Sequence, residues 1–291
     1  MALGVGEATG AVSVLNAIPT MIGGAVGIEL RVRAQAWVGE HVKSLEGYSI
    51  VYGRKRSIEA RILKAVASSV GEIVGQEPRF RVVVESEVPV ASGLKSSSSL
   101  VVSMIRALLD AMGFGGSCEE AALAGVKASK MARITVTGAY DDHLAVACSG
   151  VFITDNRYLK VLRVYEPEKY HVAIWLPNHA YEASTRDPSV FRKYARPYAI
   201  AAELALKGDW LKAMALNGVL TSLVTGVGLE AVERALLSEH VIAAGVSGKG
   251  PAVFAVTRDP GIIQEIWGDL GGVTIVTALK NGGSHGSSRY A

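Results

Sequence analysis

Apolar and polar positions change period several times along the chain, and each change marks an element. Ala11 to Ile18 is a nearly unbroken apolar run, and Gly27 to Ala34 alternates apolar with charged residues. Both read as strands, joined through the turn formers of Pro19 to Gly24. Ile58, Ile62, Leu63, Val66, Val70 and Val74 recur at helical spacing, which predicts a helix over 57–74. A β-rich run, Arg79 to Val88, is closed by Pro89, and helices follow over 100–112 and 119–132. Residues 134–150 open as a strand or loop and turn helical. Then come three strands, at 151–154, 159–164 and 171–176, and two helices, near 192–206 and 209–224. Val241 to Val256 reads as strand, glycine turn, strand. A helix near 260–268, a strand near 273–279 and a frayed tail from Gly282 complete the pattern. No internal repeat or low-complexity linker interrupts it. The mixture of antiparallel strands and clustered helices predicts an α+β fold.

The composition agrees with a folded enzyme-sized chain. It has 291 residues, 49% hydrophobic and 20% charged, with a net charge of +3. That favours a substantial core and argues against a general nucleic-acid binder, while leaving room for a local anion site. Two cysteines, Cys118 and Cys148, make neither a disulfide scaffold nor a CxxC metal pattern, and a reducing cytoplasm is the simple expectation. No signal peptide is expected from Met1 to Glu7, and no membrane span is expected.

The most informative segment is Val90-Ala-Ser-Gly-Leu-Lys-Ser-Ser-Ser-Ser99. It lies between a predicted strand and a predicted helix. A helix start offers unpaired N–H groups and the positive end of the dipole, which suits phosphate. Gly93 lets a polyanion approach the backbone, Lys95 adds a charge, and the serines add hydroxyls for phosphate oxygens or Mg²⁺. Serine-rich helix capping is the bland alternative. The P-loop pattern of G-x-x-x-x-G-K followed by Ser or Thr is absent. Ser92-Gly-Leu-Lys95 also fits the S-x-x-K nucleophile motif of acyl-transfer enzymes, and Thr154-Asp-Asn156 is a near match to their S-D-N. No K-T-G follows, only Lys249-Gly-Pro251.

Three further segments carry possible chemistry. In Gly138-Ala-Tyr-Asp-Asp-His143, a carboxylate at a helix start can accept a proton from a substrate hydroxyl or hold a cation, though a capped turn would look the same. Asp141 and Asp142 are adjacent, so one of them reaches the reacting hydroxyl. His143 reads as a packing or hydrogen-bonding residue rather than a ligand. Gly245 to Ala252 places three glycines around a lysine, either a tight hairpin or a second backbone wall against the ligand. Asn16, Thr20, Gly23 and Gly24 sit where a polyhydroxylated substrate can be hydrogen-bonded, and a structural turn is equally compatible. Arg186 can pair with a substrate carboxylate.

Taken together, these segments resemble the superfamily of galactokinase, homoserine kinase, mevalonate kinase and phosphomevalonate kinase, the GHMP kinases. The family's P-x-x-x-G-L-G-S-S-A-type loop reads here as Pro89 to Ser99. Its G-x-x-D-N segment reads as Gly138 to Asp142, and its glycine-rich C-terminal turn as Gly248 to Ala252. Within the superfamily the chain is most similar to archaeal-type shikimate kinases. The matching segments are G-L-K-S-S-S in the loop, Thr135 to Asp142, Asn16-Ala-Ile-Pro-Thr20 and Leu216-Asn-Gly-Val-Leu220.

The resemblance implies ATP- and Mg²⁺-dependent phosphorylation of the 3-hydroxyl of shikimate, a step of chorismate and aromatic amino acid biosynthesis. It implies a two-lobe fold: an N-terminal lobe over 1–150 with a left-handed β-α-β unit, and a ferredoxin-like lobe over 151–291. In site terms it implies that Pro89, Val90, Ala91, Ser92, Gly93, Leu94, Lys95, Ser96, Ser97, Ser98 and Ser99 bind ATP, with the hydroxyl of Ser97, or else of Ser96 or Ser98, on Mg²⁺. Asp141 and Lys95 are then catalytic, and Asn16, Thr20, Asp141, Arg186, Gly248 and Gly250 face the substrate. Lys95 replaces the family's usual glycine, and Asp142 its usual asparagine. Some relatives carry a glutamate Mg²⁺ ligand on the following helix, but Ala121 to Ala132 has no acid. A kinase for homoserine or another small alcohol, a ligand-binding sensor and the Ser92/Lys95 acyl-transfer enzyme remain alternatives.

Overall fold

The computed structural model describes residues 1–39, 41–178 and 187–281. Strands β1 (Ala2–Leu15) and β2 (Ile22–Val38) form a long antiparallel pair. The hairpin β3 (Glu46–Val51) and β4 (Arg54–Ser57) precedes α1 (Ala60–Val74) and β5 (Phe80–Ser86). Next come α2 (Ser96–Ala111), α3 (Cys118–Met131) and α4 (Tyr140–Ala147). Strands β6 (Val151–Asp155) and β7 (Lys160–Tyr165) complete a seven-stranded sheet of order β4-β3-β5-β2-β6-β7, with β1 also paired to β2. Within it β3 and β5 run parallel, connected through α1.

The second sheet has the order β11-β8-β10-β9 and is antiparallel throughout. Its strands are β8 (His171–Leu176), β9 (Val241–Val246), β10 (Val253–Thr257) and β11 (Val273–Ala278). With it go α5 (Ser189–Arg192), α6 (Ala195–Leu206), α7 (Trp210–Thr225), α8 (Leu229–Leu236) and α9 (Ile263–Trp267). The architecture is the expected α+β, with two sheets. The first sheet draws β6 and β7 from beyond residue 150, where the sequence reading divides the lobes.

Most predicted elements are present, and the differences have local causes. β1 and β2 begin well before the runs that predict them, because glycine and alanine dilute the alternation. Gly23 and Gly24 lie inside β2 rather than in the turn. The hairpin β3–β4 and helix α8 were not anticipated. β4 is the exposed run Arg54-Lys-Arg-Ser57, which has no apolar face to betray a strand. α2 starts at Ser96, four residues before its apolar run, so the serines form its first turn. The two cysteines form a Cys118–Cys148 bridge, which the sequence reading did not expect. The bridge joins the start of α3 to the residue that ends α4. No helix among the described residues is long and apolar enough to cross a membrane.

One continuous core, from Ala8 and Val12 through Val66, Val84, Ile105 and Leu144 to Ile174 and Phe254, runs from the first sheet into the second. The edge where both sheets meet the starts of α2 and α4 remains open as a cleft.

Candidate active site

The cleft has a volume of about 380 Å³. One wall is the loop between β5 and α2. It is bolted to its surroundings by backbone bonds: the Ala11 amide donates to the Leu94 carbonyl (3.2 Å) and the Ala252 amide to the Ser92 carbonyl (2.9 Å). The Ser247 hydroxyl, from the turn between β9 and β10, donates to the Gly93 carbonyl (2.9 Å). Gly93 has φ +92°, and a Cβ there would sit 2.2 Å from the Ser247 carbonyl oxygen. Only glycine accommodates both demands.

Lys95, the residue before α2, also has a left-handed backbone, φ +64°. A non-glycine residue there costs on the order of 1 kcal/mol or more. Its side chain explains the retention. The ammonium donates to the Ser13 hydroxyl (2.6 Å) and lies 3.0 Å from Asp142 Oδ1. The second contact is an attraction between charges rather than a directed hydrogen bond, since Asp142 Oδ1 has no hydrogen-bond partner. Both side chains are largely buried, so water screens the pair little. No side chain caps α2, and its first turn has no acid. Its first amides and the hydroxyls of Ser96, Ser97 and Ser98, with no protein hydrogen bond among the described residues, therefore face the cleft as free donors.

The opposite wall is the start of α4. The Thr135 and Thr137 hydroxyls accept the Gly138 and Ala139 amides (3.1 and 3.2 Å) and shape a tight entry to the helix. Ala139 is left-handed, φ +50°. His143 Nδ1 donates to the Ala139 carbonyl (2.7 Å), so its Nε2 accepts from the Ser129 hydroxyl (2.9 Å). Burial pushes the imidazole pKa down, which keeps it neutral. His143 thus has both ring nitrogens engaged within the protein, the hydrogen-bonding side of the sequence expectation.

Asp141 is 3% exposed. Its Oδ1 accepts from the Asn156 amide nitrogen (2.8 Å), while Oδ2 has no side-chain partner among the described residues. Its carboxylate lies directly over Gly23 of β2, where a Cβ would come within 2.5 Å of it. Burial, followed by the charge of Asp142, raises its pKa to about 7; Lys95 and the Asn156 bond pull the other way. A buried carboxylate poised near neutrality suits proton abstraction from an alcohol.

The structure brings Asn16, Ala91, Gly93, Lys95, Ser96, Ser97, Ser98, Asp141, Gly248 and Gly250 to the cleft. The other loop residues do not line it. Leu94 is buried in the core, and the Ser99 hydroxyl donates to the Thr9 carbonyl (2.7 Å). The Ser92 hydroxyl donates to the Pro89 carbonyl (2.8 Å) and is not bonded to Lys95, which removes the nucleophile–base pair of the acyl-transfer reading. The Thr20 hydroxyl accepts the Ile22 amide (3.2 Å) and serves the turn. Arg186 lies outside the described residues. Asn16 is fixed by Asn217 of α7, whose side-chain oxygen accepts the Asn16 amide (2.7 Å). Sequence reasoning missed Ser13, Ser129 and Asn156. Asn156 was visible only as part of a near match to an unrelated motif. No acid of α3 lines the cleft.

A strand–serine loop–helix facing a buried acid across a two-sheet cleft is the arrangement of a GHMP kinase. A profile described as "GHMP kinases N terminal domain" matches residues 60–150. Among solved structures, the homoserine kinase from Cytophaga hutchinsonii superposes with a TM-score of 0.73 at 15% identity, covering 97% of this chain and 96% of that one. The shikimate kinase of Thermococcus kodakarensis is 39% identical over 277 residues, 94% of this chain and 99% of that protein. That of Pyrococcus furiosus is 34% identical over 274 residues, 94% and 98% respectively. The chain belongs to this shikimate kinase family within the GHMP kinases, and it is an ATP-using kinase.

Proposed function

We propose that the chain transfers the γ-phosphoryl group of ATP to the 3-hydroxyl of shikimate. The observation that carries the reading is Asp141, a buried carboxylate with pKa near 7, facing the uncapped start of α2 across the cleft. The first-turn amides of α2, the Ser96 and Ser98 hydroxyls and Lys95 hold the phosphates and offset their charge. Asp141 accepts the proton of the shikimate hydroxyl as that oxygen bonds to the γ-phosphorus. The bond from γ-phosphorus to the bridging oxygen breaks, and ADP leaves with the electron pair. Asn16 and the Gly248–Gly250 backbone line the acceptor side.

Mg²⁺ fits the donor set. The Ser97 hydroxyl is a hard oxygen at the rim of the phosphate wall, and Mg²⁺ with a nucleotide takes few protein ligands. An ion held there would supply charge neutralisation to the phosphates. Such a reaction suits a cytoplasmic protein supplied with ATP.

The test is a coupled ADP-release assay with ATP and Mg²⁺, offering shikimate, homoserine and mevalonate separately. Release with shikimate alone is expected. Release with another alcohol only would keep the phosphate wall and overturn the substrate.

A further inference from the structure

Thr154 and Asn156 have no part in the phosphate wall or in the predicted substrate contacts, yet both are almost completely buried. β6 pairs with β2 so that Thr154 lies opposite Gly23, the residue over which the Asp141 carboxylate rests. Asn156 lies two positions on, just past the end of β6. Every polar atom of its amide is engaged: Nδ2 donates to Asp141 Oδ1 (2.8 Å) and to the Thr137 hydroxyl (3.3 Å), and Oδ1 accepts from the Thr154 hydroxyl (2.8 Å). Its backbone amide donates to the Met21 carbonyl (2.9 Å), anchoring it to the turn before β2. An amide satisfied on all sides and buried has one orientation.

We propose that Asn156, oriented by Thr154, is the positioning residue of the catalytic acid: it holds Asp141 Oδ1 so that Oδ2 faces the acceptor hydroxyl. The inference rests on the reading of Asp141 as the base.

The choice of an amide has a physical reason. A cation in hydrogen-bond contact would orient the carboxylate equally well but would stabilise its charge and weaken it as a base. A hydrophobic neighbour would leave the carboxylate free to turn. The amide supplies direction with no net charge. The other titratable groups around Asp141 do not supply that direction. Asp142 and His143 lie on α4 with it, and Asp142 is paired with Lys95 from the start of α2. His143 is bonded to Ala139 and Ser129. On β6, Asp155 accepts the Arg157 amide (2.9 Å), and Lys249 lines the cleft from the β9–β10 turn.

The experiment measures kcat, KM for shikimate and KM for ATP from pH 6 to 9 for Asn156→Ala and Thr154→Val, beside Asp141→Asn and the parent. Asn156→Ala is expected to lower kcat at pH 7 by roughly 10- to 100-fold, the scale of a misplaced catalytic group. The KM for ATP should stay within about two-fold on the same argument, since the phosphate wall is untouched. The acid limb of kcat should move to higher pH, because a donor favouring the ionised carboxylate is gone. Thr154→Val should move both quantities the same way by less, and it decides the matter if Asn156→Ala does not fold. A kcat loss with an unmoved limb and raised KM for both substrates would mark a purely structural role and overturn the proposal. So would parent-like kcat and limb in both variants while Asp141→Asn is inactive. An active Asp141→Asn would instead remove the base itself, and the positioning role with it.

Discussion

The wall at the start of α2 offers donors in abundance, whereas the carboxylate on the wall at the start of α4 is met by two neutral ones, the Asn156 side chain and its own backbone amide. Around the loop, uncapped amides, three open hydroxyls and a lysine converge on one region. Around Asp141, the nearest cation is already paired with Asp142, and the directed contact comes from Asn156. A phosphate site needs positive potential, and each added donor helps. A general base needs the reverse, because each added donor stabilises its ionised form and lowers its proton affinity. The Lys95–Asp142 pair lies between the walls and separates these demands. It keeps a positive charge beside the serine loop while its partner acid raises the pKa of Asp141.

The comparison breaks most severely at the acid. Asp141→Asn keeps the shape and removes the base, and kcat is expected to fall by roughly 10²–10⁴. The same variant changes stability in a pH-dependent way. The folded protein holds the proton of Asp141 up to about pH 7, well above the ordinary aspartate value. The raised pKa therefore contributes stability that is present in acid and lost as pH rises through about 7. Thermal unfolding should show Asp141→Asn gaining on the parent above pH 7, with no such gain at pH 4.

Gly23→Ala tests the acid wall without touching a polar group. Its methyl group would displace the Asp141 carboxylate, and a kcat loss of about 10- to 100-fold is expected. Because the displaced carboxylate is buried and bonded to Asn156, the melting temperature should fall as well.

Lys95→Gly probes the pair between the walls. Glycine suits φ +64°, so folding should not suffer there. Loss of the charge should raise the KM for ATP by about 10-fold or more, the worth of a charge-assisted contact. With Asp142 unpaired, the acid limb of kcat should also move to higher pH. An unchanged KM for ATP would remove Lys95 from the phosphate wall.

The smallest effect on turnover is expected at the far end of α4. The Cys118–Cys148 bridge closes a loop of sequence separation 30. On the chain-entropy account it stabilises by about 3–4 kcal/mol. Cys118→Ser with Cys148→Ser should lower the melting temperature and leave kcat near that of the parent.

The donor-rich start of α2 was legible because its information is local: a strand, a glycine, a lysine and four serines follow one another, and a helix start needs no distant partner. The Gly138–Asp142 segment was legible for the same reason. The acid wall's supporting residues were not. Thr154 and Asn156 acquire their meaning from strand register, which sets β6 against β2 and brings both beside α4. Gly23 reads as a turn glycine until the Asp141 carboxylate is found resting on it.

By itself the sequence determined the α+β class, most elements with an apolar period, the serine loop between strand and helix, and the acid segment. Each is specified by residues within a few positions of one another. Tertiary structure alone decided that Ser92 and Ser99 turn away from the cleft, that Asp142 pairs with Lys95, that the cysteines bond, that Asp141 is bonded to Asn156, and that burial raises the pKa of Asp141 to about 7. Such properties depend on burial and on contacts between residues far apart in the chain. The local pattern of side chains carries no record of either.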